Sequence, residues 1–414
     1  MTIHAFHLFL SVKICQGSES VRNSREIVKI LYTCHGESPI IIYSIKSEER
    51  VCSVLYRNKD YGYAKMQPDS KKKSIDSRGN TATFLLTKHA EFSSNGHRVK
   101  IVIVGSGHTG VAIAIAILFK RLASELILID TNEDLAKAEA EDIGQAAGFL
   151  GNPRIIGTKD YSFARDAAVC VFTAGTQVEK DQDQHSMLEP NIEIFKMAVP
   201  NVCKYAPNSI IVIVTSPVDI MSYAAMKLSG FPPNRVIGLG TFLDSIRFQY
   251  FIAQKLGLSA NSVQALVIGE SGPSSVPVWS AVAVMGMKLK EINKEIGQKT
   301  DPEGWGELHE KVANCDNDLI DKKGHSNWGV GICAAEIVDA IVRNTCACLT
   351  VSTFVKGCRH GLEKDVFMSL PCVVGRNGVQ SYIRHLYTTE EQELMTKSCR
   401  AIYEAQKPYL DRLE

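Results

Sequence analysis

The sequence lacks an excess of charge of either sign, and it lacks a long hydrophobic run. Its 46 Lys and Arg residues balance 45 Asp and Glu residues in a chain of 414. A protein whose main task is to grip nucleic acid or an anionic membrane needs a basic excess. The longest apolar run, Val111 to Phe119, is far shorter than the roughly 18 residues that cross a bilayer. We therefore expect neither an integral membrane protein nor a nucleic-acid or membrane partner.

Cysteine is also scarce. The chain has 12 cysteines, far fewer than the roughly 8–10% of residues in a disulfide scaffold. No two of them have C-x-x-C spacing, and Cys346 and Cys348 are too close for the usual zinc site. Cys170, Cys333 and Cys372 lie in apolar stretches, which is typical of buried cysteine. The sequence predicts a reduced, cytoplasmic compartment and no metal site.

The front of the chain is basic and has no predicted fold. Lys71 to Lys73 stand in a polar stretch, Gln67 to Asn80, which we interpret as a linker, with a nuclear signal as the alternative. Two β-like runs, Ile40 to Ile45 and Val51 to Tyr56, predict a hairpin. Because a lone hairpin is marginal in water, we assign no domain here, and an unstructured extension stays an open interpretation.

From Val99 onward, apolar strands alternate with helices. The predicted strands are Val99 to Val104, Glu125 to Asp130, Ala168 to Thr173 and Ser209 to Val214. The predicted helices are His108 to Leu122, Asn132 to Ala147 and Ser186 to Tyr205. This alternation is typical of βαβ units. It predicts an α/β fold with a doubly wound parallel sheet.

A glycine-rich turn joins the first of these strands to the first helix. Gly105, Gly107 and Gly110 occupy the three glycine positions of G-x-G-x-x-G. The first glycine permits a tight turn, the second lets the backbone approach a pyrophosphate, and the third lets helix and strand pack closely. The helix N-terminus then offers N–H groups to the phosphates. The turn predicts a dinucleotide site, although such turns also occur without ligands.

Two further features support a dinucleotide site and indicate which dinucleotide it binds. Asp130 ends the second strand 20 residues past Gly110, where an acid accepts hydrogen bonds from the adenosine ribose. Its charge would repel a 2′-phosphate, so the sequence favours NAD over NADP. Thr173, Ala174 and Gly175 end a later strand at the same sheet edge and complete the predicted cofactor site.

From about Thr81 to its C-terminus the chain resembles the animal-type, A-like L-lactate dehydrogenases of the lactate/malate dehydrogenase family. The matching segments are Pro217 to Ile220, Phe231 to Gly240, Leu243 to Ser245, Ser274 to Ser280, Val366 to Pro371 and Gly375 to Gly378. The resemblance implies a Rossmann NAD domain followed by an α+β substrate domain. It gives an extension at 1–80, an arm at 81–97, an NAD domain at 98–239 and a substrate and oligomerisation domain at 240–414. It also implies a homotetramer and the reaction (S)-lactate + NAD+ = pyruvate + NADH + H+.

The family's chemistry depends on four polar groups. A ketone that accepts hydride must gain a proton from an acid with a near-neutral pKa, normally His. A carboxylate braces that His, one Arg binds the substrate carboxylate in bidentate fashion, and a loop Arg polarises the carbonyl. By resemblance, Asp244 is the bracing carboxylate and Arg247 the substrate-binding Arg.

The remaining groups are substituted. Ser271 stands where the family has its catalytic His, Gln184 where it has the loop Arg, and Ser216 where it has an Asn near the carbonyl. Ser326 replaces a substrate-contacting Thr but keeps the hydroxyl. Losing a general acid typically costs about 10²–10⁴ in rate, and losing a preorganised donor costs about 10²–10³. We therefore expect NAD binding to survive and lactate turnover to be very slow or absent.

Two readings of function follow from these substitutions. One is a non-catalytic NAD(H)-binding family member that acts as a sensor or co-assembles with active relatives. The other is an active NAD-dependent 2-hydroxyacid dehydrogenase with an altered site, in which His185 or His325 serves as a surrogate acid. The state of Asp244 without its His stays open: it is paired with Arg247 and a hydroxyl, protonated, or in a wetter pocket.

Overall fold

The computed structural model describes residues 27–32, 40–45, 99–176, 187–357 and 364–412. The chain divides into two units, Met1–Ser93 and Ser94–Glu414. In the first unit, strand β1 (Ile27–Tyr32) pairs antiparallel with strand β2 (Ile40–Ile45), with Ile27 opposite Ile45.

The structure describes only one strand of the predicted hairpin. Ile40–Ile45 is a strand as predicted, but its partner in the described part is Ile27–Tyr32. The predicted partner, Val51 to Tyr56, lies outside the described residues, as does the stretch from Gln67 to Asn80. The sequence signal we missed is a second β-branched run, Ile27 to Tyr32, separated from Ile40 by a short segment that contains Gly36 and Pro39.

The second unit begins with alternating strands and helices and continues into a mixed half. The strands are β3 (Lys100–Val104), β4 (Glu125–Ile129), β5 (Arg154–Thr158), β6 (Val169–Phe172), β7 (Ile210–Ile213), β8 (Val236–Gly238), β9 (Val263–Gln264), β10 (Val267–Gly269), β11 (Ser275–Pro277), β12 (Ala283–Val284), β13 (Met287–Lys288), β14 (Ala347–Val355), β15 (Val366–Gly375) and β16 (Gly378–Tyr382). The helices are α1 (His108–Phe119), α2 (Glu133–Gln145), α3 (Leu188–Tyr205), α4 (Val218–Ser229), α5 (Phe242–Leu256), α6 (Leu289–Ile292), α7 (Glu307–Lys323), α8 (Trp328–Val342) and α9 (Thr389–Gln406). Short 3₁₀ turns lie at Ala147–Phe149, Tyr161–Ala164, Pro233–Arg235, Ala260–Ser262, Trp279–Ala281 and Lys407–Arg412.

The parallel part of the sheet has the order β5-β4-β3-β6-β7-β8. Numbered along the chain, this is the 3-2-1-4-5-6 order of the doubly wound dinucleotide-binding fold. The sheet continues from β8 through β14, β15, β10 and β11 in antiparallel pairs, and β16 also pairs with β15. The predicted α/β fold class is confirmed.

Helices cover both faces of the parallel strands, which explains why those strands are apolar throughout. Residues 101–104 of β3 and all of β4 are buried. Helix α1 crosses α8 closely, because a Cβ added at Gly331 would lie 2.9 Å from the Ala112 carbonyl carbon. Helix α1 ends at Phe119 rather than at the predicted Leu122, since Arg121 has a left-handed φ of 55°. The first β-turn-α unit thus packs closely against helix α8 of the C-terminal half.

The C-terminal half has a second apolar cluster of its own. Phe248 of α5 meets Trp279 edge-on at 4.8 Å between ring centroids, and Trp305 is buried beside them. Cys170 and Cys333 are buried as predicted, and burial raises the pKa of each thiol to about 12. Within the described ranges, no helix is both long and apolar enough to cross a membrane.

Candidate cofactor and substrate site

A cleft of about 480 Å³ opens beside the carboxyl ends of the parallel strands. It lies where the strand order reverses between β3 and β6, which is where open α/β sheets bind ligands. Its walls include Gly105, Gly107, Gly110, Asp130, Thr173, Ala174, Gly175, Ser216, Asp316 and Ser326. All seven predicted cofactor residues therefore line one cavity, together with two of the predicted substrate residues.

The three motif glycines differ in their surroundings. Gly105 has φ +107°, and a Cβ there would lie 2.7 Å from the Ala174 nitrogen. A Cβ at Gly110 would lie 1.9 Å from the Gly105 carbonyl oxygen, so the turn and α1 pack with no room for a side chain. No described heavy atom lies within 4 Å of a Cβ built at Gly107. The backbone at Gly107 therefore faces open space, as a turn that cradles a phosphate requires.

Asp130 holds this turn from the end of β4. Its Oδ2 accepts the Ser106 N–H at 2.6 Å, and its Oδ1 accepts the Asn132 N–H at 2.9 Å. An ionised carboxylate has about four acceptor positions, so lone pairs remain for ribose hydroxyls. Burial and the charge of Asp130 raise the pKa of the nearby Tyr161. The residues present fit an NAD adenosine at this end of the cleft.

The opposite wall is fixed by side chains that bond to the backbone. Thr173 Oγ1 donates to the Gly105 carbonyl at 2.9 Å. Asn191 of α3 is buried, accepts the Thr176 N–H at 2.8 Å and donates from Nδ2 to the Ser216 carbonyl at 2.8 Å. The Ser216–Pro217 peptide is cis. Sequence reasoning missed Asn191; the available signal was a polar residue on the apolar face of a helix.

The predicted substrate residues form a second cluster around Arg247 on α5. Arg247 Nη1 donates to Asp316 Oδ2 at 3.0 Å, and its Nη2 donates to the other oxygen of the same carboxylate. Ser326 Oγ donates to Asp316 Oδ1 at 2.7 Å. Asp244 is one turn from Arg247, with Oδ1 3.5 Å from Nη1. The structure thus brings Asp244, Arg247 and Ser326 together, and it adds Asp316, which sequence reasoning missed.

The pKa values of the two carboxylates in this cluster, Asp244 and Asp316, are shifted in opposite directions. Burial raises the pKa of Asp244 to about 7, because Arg247 offsets the burial only in part and the charge of Asp316 adds to it. Burial also acts to raise the pKa of Asp316, but the hydrogen bonds from Arg247 and Ser326 hold it below its usual range. Asp316 is therefore fully ionised at neutral pH, whereas Asp244 is partly protonated.

Ser271, at the position of the family's acid, is bonded to its own surroundings. Its hydroxyl donates to the Gly240 carbonyl at 3.3 Å, and its N–H donates to Asp219 Oδ2 at 2.7 Å. Asp219 is buried, also accepts the Ser352 hydroxyl, and has its pKa raised by burial to about 7. Among the described hydrogen bonds, none joins Ser271 to Asp244.

Two histidines, His108 and His325, line the cleft. His325 stacks on His108 with ring centroids 4.3 Å apart, and burial together with His108 lowers its pKa. No histidine in the described part of the chain hydrogen-bonds to Asp244. Gln184 and His185 lie outside the described residues, so their predicted roles stay predictions.

The strand order, the glycine turn and the acid at the end of β4 define a dinucleotide-binding dehydrogenase fold. Residues 99–238 match the model of the lactate/malate dehydrogenase NAD binding domain, and residues 241–409 match that of the family's alpha/beta C-terminal domain. The chain belongs to the lactate/malate dehydrogenase family, and its cofactor is NAD.

Similarity to individual proteins extends over most of the chain. L-lactate dehydrogenase A-like 6A of Homo sapiens is 42% identical over 311 residues, which is 75% of this chain and 93% of that protein. The L-lactate dehydrogenase A chain of Danio rerio is 41% identical over 308 residues, covering 74% of this chain and 92% of the relative. The B chain of Squalus acanthias is 39% identical over 327 residues, covering 79% and 98%.

Proposed function

We propose that this chain binds NAD(H) in the cleft and reduces 2-oxo acids very slowly or not at all. The observation that carries the proposal is the bonding of Ser271, whose hydroxyl donates to the Gly240 carbonyl at 3.3 Å. Bound NADH would supply a hydride; the protein must supply the proton to the keto oxygen. A serine hydroxyl is too weak an acid to do so at neutral pH.

The other proposed site residues have reduced capacities. By its position in the family pattern, Asp244 would hydrogen-bond to a catalytic imidazole, but residue 271 is a serine. Gln184 has no positive charge with which to polarise a carbonyl. Ser216 offers a shorter side chain than the family's Asn, and Ser326 keeps its hydroxyl but donates it to Asp316. Effects of residues that act as a unit do not multiply, so the loss of the acid alone sets the expected scale of about 10²–10⁴ in rate.

The proposed role is that of a non-catalytic NAD(H)-binding member in the cytoplasm, acting as a sensor or as a subunit. Exposed apolar side chains support assembly, as a homotetramer or with active relatives. Ile246 and Tyr250 are exposed one turn apart on α5, and Trp328 and Ile332 are exposed one turn apart on α8. The native mass of this chain, measured alone and after co-expression with an active L-lactate dehydrogenase A chain, tests the proposed assembly. A monomer under both conditions would contradict the proposal that the chain assembles.

The second candidate is an active dehydrogenase with an altered site. The observation in its favour is Asp244, whose pKa burial raises to about 7. A carboxyl with a pKa near the operating pH is a competent general acid. In this candidate the proton would come from Asp244 or from a surrogate histidine; His325 lines the cleft, whereas Asp244 is not among the described residues that do so.

Cofactor titration and turnover separate the two candidates. NADH fluorescence should show binding below millimolar concentration by the full chain. Steady-state NADH oxidation should then be measured with pyruvate, oxaloacetate and longer 2-oxo acids. We expect turnover far below the typical enzyme range of about 1–10³ s⁻¹. A rate within about tenfold of ordinary family members would favour the active enzyme, and its loss in Asp244→Asn would identify the acid.

A further inference from the structure

The guanidinium of Arg247 is already bound to a carboxylate. Asp316, on α7, lies 69 residues further along the chain and accepts from both terminal nitrogens of Arg247. Parallel bonds of this kind are the geometry with which arginine recognises a ligand carboxylate. Ser326 donates to the same Asp316 carboxylate at 2.7 Å. The hydroxyl of Ser326 and the guanidinium of Arg247 therefore both donate hydrogen bonds to one carboxylate of the protein itself.

Asp316 stands between Arg247 and the cleft. Asp316 and Ser326 line the cleft, whereas Arg247 is not among the described residues that do so. The Asp316 side chain is 40% exposed and that of Arg247 only 11%. A ligand that enters through the cleft therefore meets the carboxylate before the guanidinium.

We propose that Asp316 occupies the substrate-carboxylate subsite from within and makes this end of the cleft reject small 2-oxo monocarboxylates. The proposal rests on the proposed role of Arg247 as the substrate-binding arginine. Asp316 is in this sense a specificity-determining residue: it sets whether an anion binds, independently of the proton donor missing at Ser271.

Charge and tethering both favour the internal carboxylate. A second carboxylate at Arg247 would place two like charges on one guanidinium, with Asp244 as a third acid 3.5 Å away. An external anion must also compete with a group held permanently in place, whose effective concentration is at least about millimolar. Because hydrogen bonds hold the pKa of Asp316 below its usual range, the block persists across neutral and mildly acidic pH.

Oxamate, a small monocarboxylate that cannot be reduced, is the probe that tests this block. Calorimetric titration with and without NADH would compare the full-length protein with Asp316→Ala and Asp316→Asn; the Asn variant keeps the shape and removes the charge. Asp318→Asn, an exposed acid on the same helix, is the matched control. We expect no oxamate binding at millimolar concentration in the unmodified chain and in the control. In both Asp316 variants we expect affinity to rise at least about tenfold, together with an oxamate-dependent rise in melting temperature.

Each result bears on a separate claim. Oxamate binding by the unmodified chain as tight as that of Asp316→Ala would overturn the proposal. So would a lack of oxamate binding in both Asp316 variants when melting curves show that they are folded. NADH binding is read independently: its absence throughout, together with a gain of oxamate binding in the Asp316 variants, would contradict the proposed NAD(H) function and leave the assignment of Asp316 standing.

Discussion

The two ends of the cleft differ in where their polar groups are directed. At the cofactor end, space is open over Gly107, and no described side chain caps the N-terminus of α1. At the substrate end, Arg247 and Ser326 bond to Asp316, and Ser271 bonds to Gly240. The first end keeps donors available for an outside ligand, whereas the second has satisfied its donors within the protein.

This difference has a simple physical origin. A buried polar group without a partner costs about 1–3 kcal/mol, so a site that no longer binds its ligand is more stable when its groups pair internally. Asp316 and the Gly240 carbonyl provide such partners. Asp244 is the exception: its described partner, Arg247, is 3.5 Å away, and burial raises the pKa of Asp244 to about 7 because Arg247 offsets it only in part.

The largest expected effect comes from rebuilding the substrate end. Ser271→His with Gln184→Arg returns the acid and the loop charge but leaves Arg247 bound to Asp316. Adding Asp316→Ala should raise kcat/KM for pyruvate by about 10²–10⁴ over the unmodified chain, the range that a general acid contributes. The double variant should recover much less.

Steady-state kinetics of the double variant, the triple variant and a triple with Asp318→Asn in place of Asp316→Ala measures this. Full recovery in the double variant would show that Asp316 gives way to substrate. Equal recovery in both triples would show that the effect does not belong to Asp316.

A smaller effect is expected at the cofactor end, where substitution of two nearby glycines should change different properties: the stability of the fold in one case and the NADH affinity in the other. In Gly110→Ala the new Cβ would lie 1.9 Å from the Gly105 carbonyl, so the fold should lose about 1–3 kcal/mol or more. In Gly107→Ala the methyl enters open space; the melting temperature should hold and NADH affinity should fall at least about tenfold. Melting curves and NADH titrations read the two losses separately. Unchanged NADH affinity in Gly107→Ala would contradict the prediction that this turn binds the NADH pyrophosphate.

The smallest effect concerns Asp244 and pH. Its pKa is raised to about 7 from a usual value near 3.8, so its contribution to stability is complete below about pH 4 and declines as pH rises through 7. As pH rises from 5.5 to 7.5, the free energy of unfolding should fall by about 1–2 kcal/mol because of this group. Asp244→Asn should remove that loss, and Asp318→Asn should keep it. Parallel pH profiles for Asp244→Asn and the unmodified chain would contradict the raised pKa.

The sequence predicted the parts of the fold that depend on local patterns. Apolar runs gave β3, β4, β6 and β7 to within a residue or two, because strands buried on both faces need continuous apolar sequence. The glycine turn and Asp130 were predicted because their roles are set by spacing along one β-turn-α unit.

Contacts between distant segments could not be predicted in this way. In the sequence, Asp316 stands with Asp318 and Asp321 on a polar helix, a pattern typical of a solvated face. Its pairing with Arg247 depends on how α7 packs against α5, which no local pattern records. The bond from Ser271 to Gly240 likewise depends on the approach of two loops.

Mixing the full chain, saturated with NADH, with excess pyruvate in a stopped-flow instrument tests the central claim most directly. We expect NADH fluorescence to show that the cofactor is bound, and we expect no oxidation of it on the time scale of ordinary turnover, about 1–10³ s⁻¹. Oxidation of one equivalent of bound NADH at such a rate would contradict the claim that the chain lacks its proton donor.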